Sequence, residues 1–236
     1  MCIRDSVEGL SQKKRGKVTL PVYSGGVLDE LEAAGVKVDA DEAARTLIGR
    51  IREAADVVEP VPEQLQADLR EYQAEGFRWM SRLAHWGAGG ILADDMGLGK
   101  TLQVIAALQH LKNAGALKDE KVLVVAPASV LVNWSREIAR FAPSLTTAIH
   151  HGQQRVLETE NRPDVLITSY GLLHRDGKEL AELKWHLMVI DEAQAVKNPT
   201  TAVSKAARTF PVKQVIALTG TPVENRLSEY LSLIHI

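Results

Sequence analysis

After Pro62 the chain alternates between two textures. Short, nearly continuous apolar runs are separated by stretches whose apolar positions recur three and four residues apart. The runs Gly90–Ala93, Lys121–Ala126, Thr146–His150, Val165–Thr168, Leu187–Asp191 and Gln214–Leu218 read as strands. They lack the polar alternation of a half-exposed strand, so they suit a parallel sheet covered on both faces. Thr101–Leu111, Val130–Phe141, Lys178–Leu183 and Thr201–Thr209 read as the intervening helices. The pattern predicts an α/β fold with a doubly wound parallel sheet, whose ligands sit at the carboxyl ends of the strands.

The first sixty residues read differently. Val27–Ala34 is a short helical stretch stopped by Gly35. Asp39 is placed to cap a second helix, with Glu42 three residues on and Ala44, Leu47, Ile48, Ile51 and Ala55 along one face. The basic run of Lys13, Lys14, Arg15 and Lys17 reads as a solvated loop, and Val58-Glu59-Pro60-Val61-Pro62 as a linker. The expected organisation is a partial, mainly helical segment with its linker over 1–64, a nucleotide-binding α/β domain over 65–233 and a non-native end over 234–236. Met1–Ser6 and Leu231–Ile236 resemble translated sequencing-adapter sequence, so Cys2 need not be native.

Composition narrows the classes. The chain has 236 residues, 45% hydrophobic and 25% charged, which are ordinary globular values. Lys+Arg at 28 against Asp+Glu at 30 leaves a formal charge of −2, so a nucleic acid would have to be held by a local patch rather than by bulk charge. A single cysteine excludes a disulfide framework and a cysteine zinc site. The most apolar stretch, Val122–Val132, is interrupted by Pro127 and falls short of the ~20 residues of a membrane span. The N-terminus has no apolar signal core. An intracellular protein, with no membrane partner, is expected.

Two motifs carry chemistry. The strand Gly90–Ala93 runs into Asp94-Asp95-Met96-Gly97-Leu98-Gly99-Lys100-Thr101 and then a helix. Glycines let backbone N–H groups approach a phosphate, and the helix N-terminus adds positive potential. Lys100 can reach the outer phosphates, and the Thr101 hydroxyl is placed for Mg²⁺. A strict P-loop has glycine at the position of Asp94. Asp191-Glu192-Ala193-Gln194 follows another apolar run. Asp191 would hold the metal through water, and Glu192 would orient or deprotonate an attacking water.

These strings resemble one family. Leu69-Arg70-Glu71-Tyr72-Gln73-Ala74-Glu75-Gly76 with Trp79-Met80, ILADDMGLGKT, VVAPASVLVNW, ITSYGLL, DEAQ and LTGTPVENRLSEYLSL are similar, in order, to the motifs of Swi/Snf-type ATPases of helicase superfamily two. The resemblance implies a RecA-like first lobe of a two-lobed motor that uses Mg·ATP to move on double-stranded DNA, remodelling or displacing bound proteins. Its location would be the bacterial cytoplasm and nucleoid, or the nucleus in a eukaryote. By position, Gln73 would read the adenine edge; Met96, Gly97, Leu98, Gly99, Lys100 and Thr101 would form the nucleotide loop; and Gln194 would sense the nucleotide. Thr219, Gly220 and Thr221 would couple hydrolysis to DNA movement. Pro127, Ser129, Thr168, Ser169 and Tyr170 would contact DNA phosphates, through hydroxyls and backbone amides. Ser129 reads equally as a helix N-cap.

The same resemblance implies a second lobe that supplies arginine fingers, worth about 10³–10⁵ in rate. The chain stops soon after LTGTPVENRLSEYLSL, so by itself it is expected to bind Mg·ATP and turn it over slowly. An RNA helicase of DEAD or DEAH type shares the phosphate logic, though such proteins usually carry a Ser-Ala-Thr type string at Leu218–Thr221. A nucleotide-gated binding module without catalysis is the third reading. Trp79, Trp86, Trp134 and Trp185 read as packing residues, and His150-His151 lacks further metal ligands at useful spacing.

Overall fold

A computed structural model describes residues 12–14, 17–19, 42–55, 57–152, 155, 157 and 160–220. The chain divides into two compact units, residues 1–57 and 58–236. In the first, β1 (Gln12–Lys14) and β2 (Lys17–Thr19) pair antiparallel, with Lys14 opposite Lys17. The basic run expected to be a loop is thus mostly strand. α1 (Glu42–Ala55) covers the second predicted helix. The helix expected over 27–34 and the cap at Asp39 lie outside the described residues.

The second unit is one sheet between two helical layers. α2 (Glu71–Trp86) leads into β3 (Gly90–Leu92), followed by α3 (Lys100–Asn113), β4 (Lys121–Ala126), α4 (Leu131–Phe141), β5 (Thr147–His150) and β6 (Val165–Ser169). Then come α5 (Tyr170–Arg175), α6 (Gly177–Ala181), β7 (Trp185–Ile190), α7 (Ala202–Arg208) and β8 (Gln214–Leu218). All six predicted strands are present, each within about two residues of its predicted ends. They lie in the order β3-β8-β7-β4-β6-β5, and every pair is parallel.

Alternation along the strands explains the two layers. Val122, Val124, Val165, Ile167, Leu187, Val189, Ile216 and Leu218 face one core, where Phe77, Ile105, Leu108, Trp134 and Ile138 of α2, α3 and α4 pack. Leu123, Val125, Leu166, Met188, Ile190 and Ala217 face the other, against Leu173, Leu180, Ala207 and Phe210. Both faces are apolar, which is why the strands lack polar alternation.

Two features differ from the sequence reading. The segment read as a linker, 58–62, begins at the boundary between the two units, and the chain joins the second unit's core before it ends. Val61, Leu65, Ala67 and Leu69 pack on the first core, and Leu65 N–H donates to the Pro62 carbonyl at 3.0 Å. The prolines mark irregular backbone: Val58 is exposed, Val61 is half-buried and Leu65 is buried. α2 was legible as a motif rather than as a helix, although Phe77, Met80 and Leu83 recur at helical spacing and are all buried.

Candidate active site

A parallel sheet puts all its carboxyl ends on one edge. That edge receives the loop 94–101 after β3, residues 191–194 after β7, Thr219 and Gly220 after β8, Pro127 and Ser129 after β4, and Tyr170 after β6.

The nucleotide loop turns at Gly97 (φ 83°) and Gly99 (φ 76°), both in the left-handed region that favours glycine. Gly99 precedes α3 and no side chain caps the helix, which leaves the first N–H groups of α3 available to an anion. A Cβ at Gly99 would stand 2.5 Å from Gln73 Nε2. Lys100 Nζ is folded back on its own loop and donates to the carbonyls of Asp94 at 2.7 Å and Asp95 at 3.0 Å. Asp94, at the position where a strict P-loop has glycine, has a local function. Its Oδ2 accepts from Nε2 of fully buried Gln103 at 2.9 Å, tying the loop to α3. Gly76 of α2 makes this possible, since a Cβ there would lie 1.8 Å from Gln103 Oε1.

Gln73 is more committed than expected. Its Oε1 accepts the Arg70 N–H at 3.0 Å, closing the start of α2, and its Nε2 donates to the Leu98 carbonyl at 3.1 Å. Tyr72 Oη donates to the same carbonyl at 3.2 Å. One Gln73 N–H remains, so this amide pins the loop and has a single donor left for a base. Met96 is 72% exposed on the outer side of the loop, and a Cβ at Gly220 would meet its Cγ at 2.7 Å.

Asp191 N–H continues the β7–β4 ladder onto the Val125 carbonyl at 2.8 Å. Its Oδ1 accepts the Glu192 N–H at 2.9 Å, and its Oδ2 accepts the indole N–H of Trp134 at 2.8 Å. Burial pushes the Asp191 carboxyl above its ordinary range; the Trp134 N–H opposes this, Glu192 adds to it, and the Lys100 ammonium lowers it. Glu192 has φ 53° and ψ 55°, the one non-glycine residue at positive φ among those described. That conformation costs a residue with a Cβ about 1–2 kcal/mol. Gln194 Nε2 donates to Glu192 Oε2 at 2.5 Å, while Gln194 Oε1 accepts from Thr219 Oγ1 at 3.0 Å. Gln194 therefore joins the segments after β7 and β8. Thr221 lies outside the described residues.

The expected DNA contacts divide. Ser129 is exposed and caps no helix, and Pro127 is half-buried beside it in the 3-10 turn Ala128–Val130. Thr168 and Tyr170 correct the expectation of hydroxyl contacts. Thr168 is fully buried and its Oγ1 donates to the His150 carbonyl at 3.1 Å. Tyr170 Oη donates to the backbone carbonyls of Asp191 and Glu192. Burial pushes this phenol far up, so it stays a donor. Ser169 is also buried. The hydroxyls of Thr168 and Tyr170 point inward because β6 is covered on both faces and α5 folds back over the second core. Tyr170 braces the acidic segment instead.

The donor set fits a magnesium nucleotide. The left-handed glycine turn, the open start of α3 and Lys100 can take phosphates. Thr101 and Asp191 can take the metal or its waters. Trp134 is the site residue that sequence reasoning missed. Its signal was alternation: Ile190 faces the second core, so Asp191 turns toward the layer that contains α4.

The SNF2-related domain family matches residues 72–236. The chain is 42% identical over 214 residues to the putative ATP-dependent helicase/translocase YwqA of Bacillus subtilis, covering 88% of this chain and 23% of that protein. It is 42% identical over 187 residues to the chromatin-remodeling ATPase INO80 of Arabidopsis thaliana, covering 74% of this chain and 12% of the relative. The Sulfolobus solfataricus SWI2/SNF2 ATPase core in complex with double-stranded DNA superposes with a TM-score of 0.68 at 43% identity, over 75% of this chain and 37% of that one.

Proposed function

This chain belongs to the SNF2-related domain family, and from that premise we propose that it is the first RecA-like lobe of a motor that couples ATP hydrolysis to movement on double-stranded DNA, remodelling or displacing DNA-bound proteins. One observation carries the reading most directly. The Lys100 loop, the acidic pair Asp191–Glu192 and Thr219 share one sheet edge, and Gln194 bonds to both Glu192 and Thr219. The duplex in the complex of the Sulfolobus relative supports DNA as the track.

Each residue then has a task. The N–H groups at the start of α3 and Lys100 bind phosphates, which requires Lys100 to leave its loop carbonyls. Thr101 and Asp191 hold magnesium, and bound Mg·ATP supplies the phosphoryl group and a cation to offset its charge. Glu192 orients the attacking water and takes its proton. Gln194 passes the state of that site to Thr219, Gly220 and Thr221. Ser129 and the backbone after β4 and β6 contact DNA phosphates.

The chain spans 23% of the Bacillus relative and 12% of the Arabidopsis one. Activity therefore belongs to the full-length protein, in which a second RecA-like lobe would complete the catalytic centre. The test is ATP hydrolysis by the full-length gene product with duplex DNA, single-stranded RNA or neither. Duplex DNA should stimulate, and Glu192→Gln should remove the stimulation. Stimulation by RNA alone would make the protein an RNA helicase; no hydrolysis with any nucleic acid would make it a nucleotide-gated binding module or a motor that needs a partner protein to switch it on. For the 236-residue chain, Mg·ADP should raise the thermal midpoint by mass action, and Lys100→Ala should abolish the rise.

A further inference from the structure

We infer that Trp134 is a positioning residue for the metal-holding carboxylate: its indole N–H fixes the orientation of Asp191 from the helix that follows the turn at Ser129. The inference rests on the reading that Asp191 holds magnesium.

Trp134 is 1% exposed, and its indole is a donor only. Leaving that N–H unpaired in the core would be costly, so its acceptor matters. Trp185 shows how a buried indole is ordinarily satisfied: its Nε1 donates to the Leu180 carbonyl at 2.7 Å, five residues away. Trp134 instead donates across 57 residues of sequence to Oδ2 of Asp191, at 2.8 Å. The other carboxylate oxygen is held by the Glu192 N–H at 2.9 Å. With one donor on each oxygen the carboxylate cannot rotate, and each oxygen keeps a lone pair for a metal or its water. The partner of a metal ligand commonly sets its orientation in this way. The contact also joins two elements. α4 starts at Leu131, directly after the turn Ala128–Val130 that exposes Ser129. The rotation of Asp191 is thereby tied to the seating of the helix behind the proposed DNA-contact turn.

The experiment uses the 236-residue chain saturated with ADP and titrated with Mg²⁺. Trp134→Phe keeps most of the packing and removes the donor. It should weaken Mg²⁺ binding about 10–100-fold while leaving ADP affinity in EDTA unchanged. Asp191→Asn should lose the Mg²⁺ dependence of ADP binding. Independently of either variant's stability, the Trp134 indole ¹H–¹⁵N resonance of the wild-type chain, assigned by through-bond correlation, should shift when Mg²⁺ joins ADP. It should stay still in Asp191→Asn. An unmoved wild-type resonance, or an unchanged Mg²⁺ affinity in folded Trp134→Phe, would reduce Trp134 to packing. If instead Asp191→Asn kept full Mg²⁺ dependence, the metal role of Asp191 would fall, and this inference with it.

Discussion

The two edges of the sheet handle charge in opposite ways. At the amino edge, buried Asp164 accepts from Lys112 Nζ at 2.8 Å and from the Thr146 N–H and hydroxyl, both at 3.0 Å, with Lys121 Nζ 3.6 Å away. Glu120 is paired with His186 at 3.0 Å and Lys213 at 2.8 Å. Burial works against the Asp164 carboxylate, yet its partners hold it below the usual range. At the carboxyl edge, Lys100 is spent on loop carbonyls, Asp191 is pushed up by burial, and Glu192 sits in a strained conformation. One edge completes its electrostatics within the chain. The other leaves charges that a bound ligand would complete, and folding alone gives no reason to keep them.

Distance from the site matters more than the edge itself. Asp176, after α5, faces the end of β5 on the carboxyl side and is fully paired. Arg155 donates to it from Nε at 2.6 Å and Nη2 at 2.9 Å, and His150 Nε2 lies 2.9 Å away. The Arg155 guanidinium, with His150, holds the Asp176 carboxyl well below the ordinary range.

The largest expected effect is on chemistry. Glu192→Gln should lower DNA-stimulated hydrolysis by the full-length protein by roughly 10²–10⁴, with ADP binding and the thermal midpoint nearly unchanged. Retained hydrolysis would place the base elsewhere. The amino edge should respond the other way. Asp164→Ala leaves Lys112 and Lys121 without their carboxylate and should cost about 2–4 kcal/mol in urea unfolding. ADP affinity of the folded fraction should not change; a loss would break the contrast between the edges.

Asp176 sharpens it through pH. A depressed carboxyl contributes stability above its unfolded value, and loses it as pH falls through the folded value. Asp176→Asn should therefore cost about 1–3 kcal/mol at pH 7, and the gap from wild type should begin to shrink as pH falls below about 4 and close only in much stronger acid, below the depressed folded value. A difference constant with pH would mean the carboxylate's charge is not what stabilises. The smallest change in stability is the most pointed. Glu192→Gly relieves the left-handed strain and should raise stability by about 1 kcal/mol while abolishing hydrolysis, a trade no amino-edge substitution should reproduce.

Much of this was legible in sequence because it is local. Continuous apolar runs encode strands covered on both faces, and three-to-four spacing encodes the helices between them. Gly97, Gly99 and Lys100 encode a phosphate loop whatever lies around it. The ordered motifs fixed the family, and with it the expectation that Asp191, Glu192 and Gln194 act together. The sequence also misled where a local pattern had two outcomes. Prolines at 60 and 62 suggested a linker, and the boundary between the units does fall at Val57–Val58, but Val61 is already half-buried against the first core. Lys13–Lys17 suggested a loop, but most of it pairs as a ribbon.

What only the tertiary structure decided was pairing at a distance. Strand order placed β8 between β3 and β7, so that Gln194 reaches Thr219. Coverage of β6 on both faces turned the Thr168 hydroxyl inward, and the fold of α5 set Tyr170 against the acidic segment. The alternation of β7 aimed Asp191 at α4, where Trp134 waits 57 residues away in sequence. Periodicity is a property of neighbours along the chain and can be read from it. Which face a side chain meets, and what stands there, depends on the order in which the strands assemble, and no local pattern carries that.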